Sequence, residues 1–254
     1  MNTMLPGDGS AGPAADAAAP RLTFRVPPAF FELPVHETEE QVGQALIELA
    51  QDIYPQGNPE LWFQYAATQL PVVAEMMQAG VGYAGFCLLD LDGRRSTATV
   101  TAALLESVPD GEKMTASSVA AELRGFGDEA QVETVWLTAG EAAARFTSDL
   151  VTLPAEVTDS GRPEQVEIGK IAVFLPLRRD AEMALFELST ACMQDWDLYS
   201  ELFFSIVNTL EVDDARSTAE QAPVAQHTQP AGPMDLANGV HVPLQAKSVR
   251  DVFG

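Results

Sequence analysis

Histidine is nearly absent from this chain. There are three in 254 residues: His36 ahead of the first helical stretch, and His227 and His241 near the C-terminus. A metal site or a nucleophile–base dyad in the body would have His36 alone to use, and no second histidine could pair with it. Cysteine is as scarce. Cys87 and Cys192 each fall in an apolar, strand-like run and are expected as reduced core residues, with a disulfide between neighbouring strands as the lesser alternative. Positive charge is also short, 14 Lys and Arg against 37 Asp and Glu, for a net charge of −23. Between Leu22 and Leu210 there are 29 acidic and 10 basic residues, a difference of −19. Such a field repels phosphate backbones and anionic lipid surfaces, and no Lys/Arg cluster offsets it, so nucleic acid and membrane are poor partners. Solubility is the plain account of the charge, with recognition of a basic partner as the alternative. No glycine-rich phosphate loop follows a strand. There is no membrane-spanning apolar run and no basic, then apolar, leader, so a cytoplasmic protein is expected. No cofactor or metal is implied.

Residues 1–20 consist mostly of Ala, Gly, Pro and Asp, with no apolar face to repay the entropy of ordering. They are expected to form a disordered tail. Residues 213–254 include STAEQAPVAQHTQPAGPMD and behave in composition as a disordered linker. That leaves residues 21–212 as a single α+β domain.

Within it, Arg21 to Val26 and Phe30 to Val35 are two short extended segments hinged at Pro27-Pro28. Thr38-Glu39-Glu40-Gln41 matches a capping box, and Val42, Ala45, Leu46, Leu49 and Ile53 follow at helical spacing, predicting a helix over 38–53. Asn58-Pro59 is a cap and first-turn pair for a second helix, which Pro71 should kink or divide. Its Trp62, Tyr65, Val72, Val73, Met76 and Met77 share an arc that suits the core, or an adaptable ligand groove. From Val81 the pattern becomes strands: a hairpin turning at Leu91-Asp92-Gly93, a short helix from Thr115 to Leu123, then four more runs separated by turn residues. Short connections make these strands antiparallel. A last helix places Trp196, Tyr199, Phe203, Ile206 and Leu210 on one stripe that docks on the sheet, with Glu201, Ser205 and Asn208 facing away. The expected fold is therefore an antiparallel β-sheet meander packed against helices, including a C-terminal helix, with disordered tails.

Three groups of residues invite a chemical reading. Asp195 and Asp197 stand two apart and point in different directions on a helix, so they suit capping, with Gln194 or Asp195 as the cap, better than acid–base work. Asp90-Leu91-Asp92-Gly93 starts like a calcium loop, but Arg94 and Arg95 replace the next oxygen ligands and Thr101 stands where a bidentate Glu is needed, so a hairpin turn is expected. Cys192 with His36, and Asp195 nearby, is the one enzyme constellation left, a cryptic site. For partner contact, Phe204 lies off the buried stripe and is expected to be exposed. After the polar linker Val240, Val242, Leu244, Val249, Val252 and Phe253 return as an apolar peptide. It either docks on a partner or on its own body, or packs weakly or not at all.

The element order, carried by FRVPPAFFELPV at the start and LFELSTACMQDWDLYSELFFSIVNTL at the end, resembles the PsbP-like superfamily. That resemblance implies a scaffold that mostly binds other proteins, such as a photosystem subunit, a Ran-binding release factor, lipoproteins and chaperones for secreted effectors. The chain departs from that pattern in the extra helical segment at 58–79 and in having no Ran-type acidic loop, and no family residue carries over as catalytic. The functional expectation is a non-catalytic protein-binding module, an adaptor or chaperone for a secretion or assembly machine. The alternatives are the cryptic enzyme site and a homo-oligomer joined through a strand edge.

Overall fold

A computed structural model describes residues 21–106, 114–126, 130–158, 160–177, 182–213, 239–242 and 247–248. Their order is β1 (Arg21–Arg25), β2 (Phe30–Glu32), α1 (Glu39–Ile53), α2 (Pro59–Ala79), β3 (Val81–Leu91), β4 (Arg94–Glu106), α3 (Ala116–Gly125), β5 (Gln131–Leu137), β6 (Gly140–Leu153), β7 (Glu164–Pro176), β8 (Glu182–Thr190), α4 (Trp196–Val207), β9 (Glu211–Asp213), β10 (Gly239–Val242) and β11 (Lys247–Ser248). The fold is α+β, with antiparallel sheets and a closing helix.

The large sheet runs β2-β3-β4-β8-β7-β6-β5, and β11 adds to the end of β4. It is a meander in two pieces. The β3–β4 hairpin forms first, the chain crosses through α3 to the far edge at β5, and β6, β7 and β8 walk back until β8 pairs with β4. The β3–β4 turn has positive φ at both Asp92 (55°) and Gly93 (79°), the paired left-handed geometry that suits the twist of a two-residue hairpin. The Gly93 N–H donates to Asp90 Oδ1 at 2.7 Å. The would-be calcium ligand is thus a turn residue.

Side-chain alternation divides the sheet into two faces. On one, Tyr83, Cys87, Ala98, Val100, Ala102, Leu104, Ile171, Val173, Phe186 and Leu188 form the main core with Leu22 and Phe24 of β1 and Tyr199, Phe203, Ile206 and Val207 of α4. On the other, α3 covers Ala103, Leu105, Ala143, Phe174 and Met183, and the α1–α2 hairpin covers Ala84 and Phe86. A three-stranded sheet, β10-β1-β9, completes the α4 side.

Several local expectations are corrected. Pro71 neither divides nor ends α2, which runs unbroken from Pro59 to Ala79. Pro71 and Ala67, whose carbonyl loses its helical donor, are both exposed, so water can satisfy that carbonyl. The Thr38 side chain does not cap α1; its hydroxyl donates to Gln41 Oε1 at 2.8 Å instead. Asn58 does cap α2, accepting from Leu61 N–H at 2.9 Å. Val72 is exposed, whereas Val73 is fully buried and Met76 and Met77 pack against the same cluster, so most of that arc is core. Phe204 is half-buried, with its ring centroid 6.5 Å from Phe146 on β6 and 5.6 Å from Phe203, because the sheet extends far enough under α4 to meet its flank. In the apolar peptide expected to dock on a partner or on its own body, two short strands pair within the chain: Gly239–Val242 antiparallel with β1 and Lys247–Ser248 parallel with β4.

Candidate functional site

The α4 side holds the carboxylate that opens the last helix. Asp195 occupies the N-cap position of α4 but its side chain makes no cap hydrogen bond. It instead accepts both guanidinium nitrogens of Arg94, at 2.8 and 2.7 Å, and the Ser96 hydroxyl at 2.5 Å. Ser96 in turn accepts from the Tyr199 hydroxyl at 2.7 Å. A bidentate Arg–carboxylate pair fixes geometry as well as charge, so the network ties the β3–β4 hairpin to both ends of the first turn of α4. The Arg94 and Ser96 hydrogen bonds hold the Asp195 carboxyl below its ordinary value of 3.8. Burial pushes the Tyr199 phenol up to about 12. Burial also raises the Cys87 thiol, which keeps it protonated and unreactive. Beside this network Trp196 and Met193 lie on β7 at Gly169, where a Cβ would stand 2.5 Å from Trp196 Cζ3 and 2.7 Å from Met193 Sδ. Asp195 is therefore not a side-chain cap but a tie between the β3–β4 hairpin and α4, at the rim of the covered face.

The cryptic enzyme set is brought together only in part. The Asp195 N–H donates to the Cys192 carbonyl at 2.9 Å, so these two share the approach to α4. His36 lies 3.9 Å from Glu32, which pairs with Gly85 in the middle of β3. Asp195 accepts from Ser96, whose register partner Leu89 is four residues farther along β3, about 13 Å away at the rise of an extended strand, so His36 stands apart from the pair. Cys87 and Cys192 are both free, with β4 lying between the strands that carry or precede them. Among the described residues no group of three His, Cys, Asp or Glu is placed to hold a metal ion. No helix among them is long and apolar enough to cross a membrane.

The opposite face has a different feature, which the sequence reading did not single out. Below the rows that α3 covers, strand registers align Thr101, Glu187, Ala172 and Arg145 across β4, β8, β7 and β6, and beneath them Thr99, Ser189, Lys170 and Thr147. All except Ala172 are half-buried, and the next positions, Thr97, Leu88 and Asp149, are exposed. The strip is a floor of hydroxyls and charges that opens to solvent beside α3 and the α1–α2 hairpin. Lys170 Nζ lies 2.9 Å from Asp149 Oδ2. Burial raises the Glu187 carboxyl above its ordinary 4.5, against the pull of Lys170 and Arg145 and with a further push from Asp149. A half-buried carboxyl whose cationic neighbours do not fully offset its lost hydration is poised to gain from a ligand that supplies donors. The signal was present in the strands, where Thr, Ser and charge replace apolar residues at every second position, but only the register across four strands assembles them.

Of the residues expected to meet a partner, Phe204 packs inward and Val240 lies in β10 opposite Phe24. Leu244, Val249, Val252 and Phe253 lie outside the described residues. No family model, curated protein or solved structure matches this chain.

Proposed function

We propose that this protein is a non-catalytic protein-binding module, an acidic cytoplasmic adaptor or chaperone, and that it grips its partner on the open polar strip of its large sheet. The observation that carries this reading is the asymmetry of coverage: one face is closed by α4 and β1, while half of the other leaves Thr99, Thr101, Arg145, Lys170, Glu187 and Ser189 partly accessible. Hydroxyls and paired charges on a rigid sheet suit hydrogen bonding to a peptide or loop, with specificity set by register. The PsbP-like order of elements points the same way, since that scaffold mostly serves protein contacts. The free thiols of Cys87 and Cys192 fit a reducing compartment.

The test is to fill the strip. Ser189→Trp and Thr101→Trp place bulk on the floor while leaving the sealed core alone. Cross-linked complexes captured by the wild-type chain should be lost from both variants at unchanged melting temperature. Equal recovery by all three would reject the strip as the binding surface.

A further inference from the structure

We propose that the outer edge of β1 is a strand-acceptor site, closed in this chain by its own residues Gly239–Val242, and that a partner's extended strand takes their place. The register sets what such a strand must look like. Val242 stands opposite Leu22 and Val240 opposite Phe24, whereas His241 and Gly239 face Thr23 and Arg25. Leu22 and Phe24 are the two residues of β1 sunk in the core, at 1% and 0% exposure. The strand that fits this edge therefore runs antiparallel to β1 and carries apolar residues at alternate positions, opposite the two buried ones.

Three features make the resident strand exchangeable. It is four residues long, at the short end for a strand that must stay paired. It pairs with β1 across a separation of 25 residues of chain between Asp213 and Gly239, so closing this contact carries the loop-closure entropy of a long-range pairing. Its departure also leaves β1 anchored. The other edge of β1 pairs with β9 from Arg21↔Asp213 to Thr23↔Glu211, and the Phe24 ring meets Tyr83 and Phe186 edge-on, with centroids 5.1 Å away in each case. An edge vacated in this way presents unpaired N–H and C=O groups, which is the template that strand addition uses. The two-residue contact of β11 with Leu105 and Glu106 on β4 gives the same segment a second, weaker hold.

This goes beyond the binding reading above, because β1 lies on the α4 side and not at the polar strip; it rests on that reading for the existence of a partner, but the edge is testable without one. A synthetic peptide of residues 236–248 is titrated against the full wild-type chain and against the full chain carrying Val240→Pro with His241→Pro. The paired prolines remove the backbone donor whichever of the two residues faces β1. Amide exchange is followed over Leu22–Arg25 and, as a control on the fold, over α4. The expected result is faster exchange at β1 in the proline variant with α4 unchanged. The peptide should bind the variant at least tenfold more tightly than wild type, restoring β1 protection, and the same peptide with Val240→Ser and Val242→Ser should not bind. Equal peptide binding to both chains, no binding to the variant, or exchange that spreads into α4 would each overturn the proposal. Loss of partner capture in the strip variants Ser189→Trp and Thr101→Trp tests the binding reading separately, since neither residue lies on β1.

Discussion

The two faces of one sheet are built from the same strands and end in opposite conditions. Along β8, Ala184, Phe186 and Leu188 point toward α4 and are buried, while Leu185, Glu187 and Ser189 point the other way and are half-buried. On β4 the buried set is Ala98, Val100, Ala102 and Leu104, and the facing set changes from Leu105 and Ala103 to Thr101, Thr99 and Thr97 as it leaves the shelter of α3. A face that is apolar over most of its length, with its buried Ser96 and Thr190 hydrogen-bonded, needs a complete cover, and α4 with β1 supplies it. A face whose apolar rows give way to hydroxyls and charges needs cover over only part of its length, and the remainder stays open without a penalty for exposed hydrocarbon.

The comparison breaks most strongly at the sealed face. Phe203 has no exposed surface, so Phe203→Ala should cost about 3–5 kcal/mol through lost transfer energy and a residual cavity. Truncation of the exposed hydroxyl on the other side, Thr97→Ala, should stay within about 0.5 kcal/mol. Chemical denaturation of the two variants measures both. Comparable losses would mean that the open strip is as tightly packed as the α4 side.

The next effect in size concerns the polar tie within that face. Ser96 is 1% exposed and stands between the Tyr199 hydroxyl and Asp195. Ser96→Ala should cost about 1–3 kcal/mol, the penalty for leaving a buried hydroxyl without its acceptor, and Ser96→Ala combined with Tyr199→Phe should recover part of it. A double variant no more stable than the sum of the singles would deny the coupling.

Asp195 then supplies a pH signature for the same tie. Its carboxyl is held below 3.8 by Arg94 and Ser96, so the ionised form stabilises the fold above that value, and the contribution is lost as pH falls through the lower folded-state pKa. The melting-temperature gap between wild type and Asp195→Asn should be full near neutrality and narrow below pH 3.8. A gap independent of pH would assign the effect to packing alone.

Much of this architecture was legible before any coordinates. Hydrophobic spacing located α1, α2 and α4, and the strand runs of the hairpin and of β5 to β8 fall close to their expected bounds, because period-2 and period-3.6 patterns are local. What could not be read was which partner a local group finds across the fold. Asp195 has the position of a helix cap, yet a guanidinium 101 residues earlier in the chain claims both its oxygens. Phe204 lies off the stripe of its own helix and is covered by Phe146 of a strand the helix does not adjoin in sequence. The polar strip is four separate alternations until pairing sets them side by side, with β8 inserted next to β4 and not next in order along the chain.

The finest test of the contrast is Glu187, where the open face should respond to pH in the sense opposite to Asp195. Its carboxyl is raised above 4.5 chiefly by burial, with Lys170 and Arg145 only partly offsetting the cost. Folding thus favours protonation of this carboxyl relative to the unfolded chain, and the stability so gained is complete below 4.5 and is lost as pH rises through the higher folded value. At neutral pH the ionised carboxylate is a net burden. Glu187→Gln, which keeps the shape without the charge, should raise the melting temperature at pH 7 to 8 and give no advantage near pH 4. If Glu187→Gln lowers stability at neutral pH, the two cations outweigh burial, and the strip is a closed ion-pair network with nothing to gain from an incoming donor.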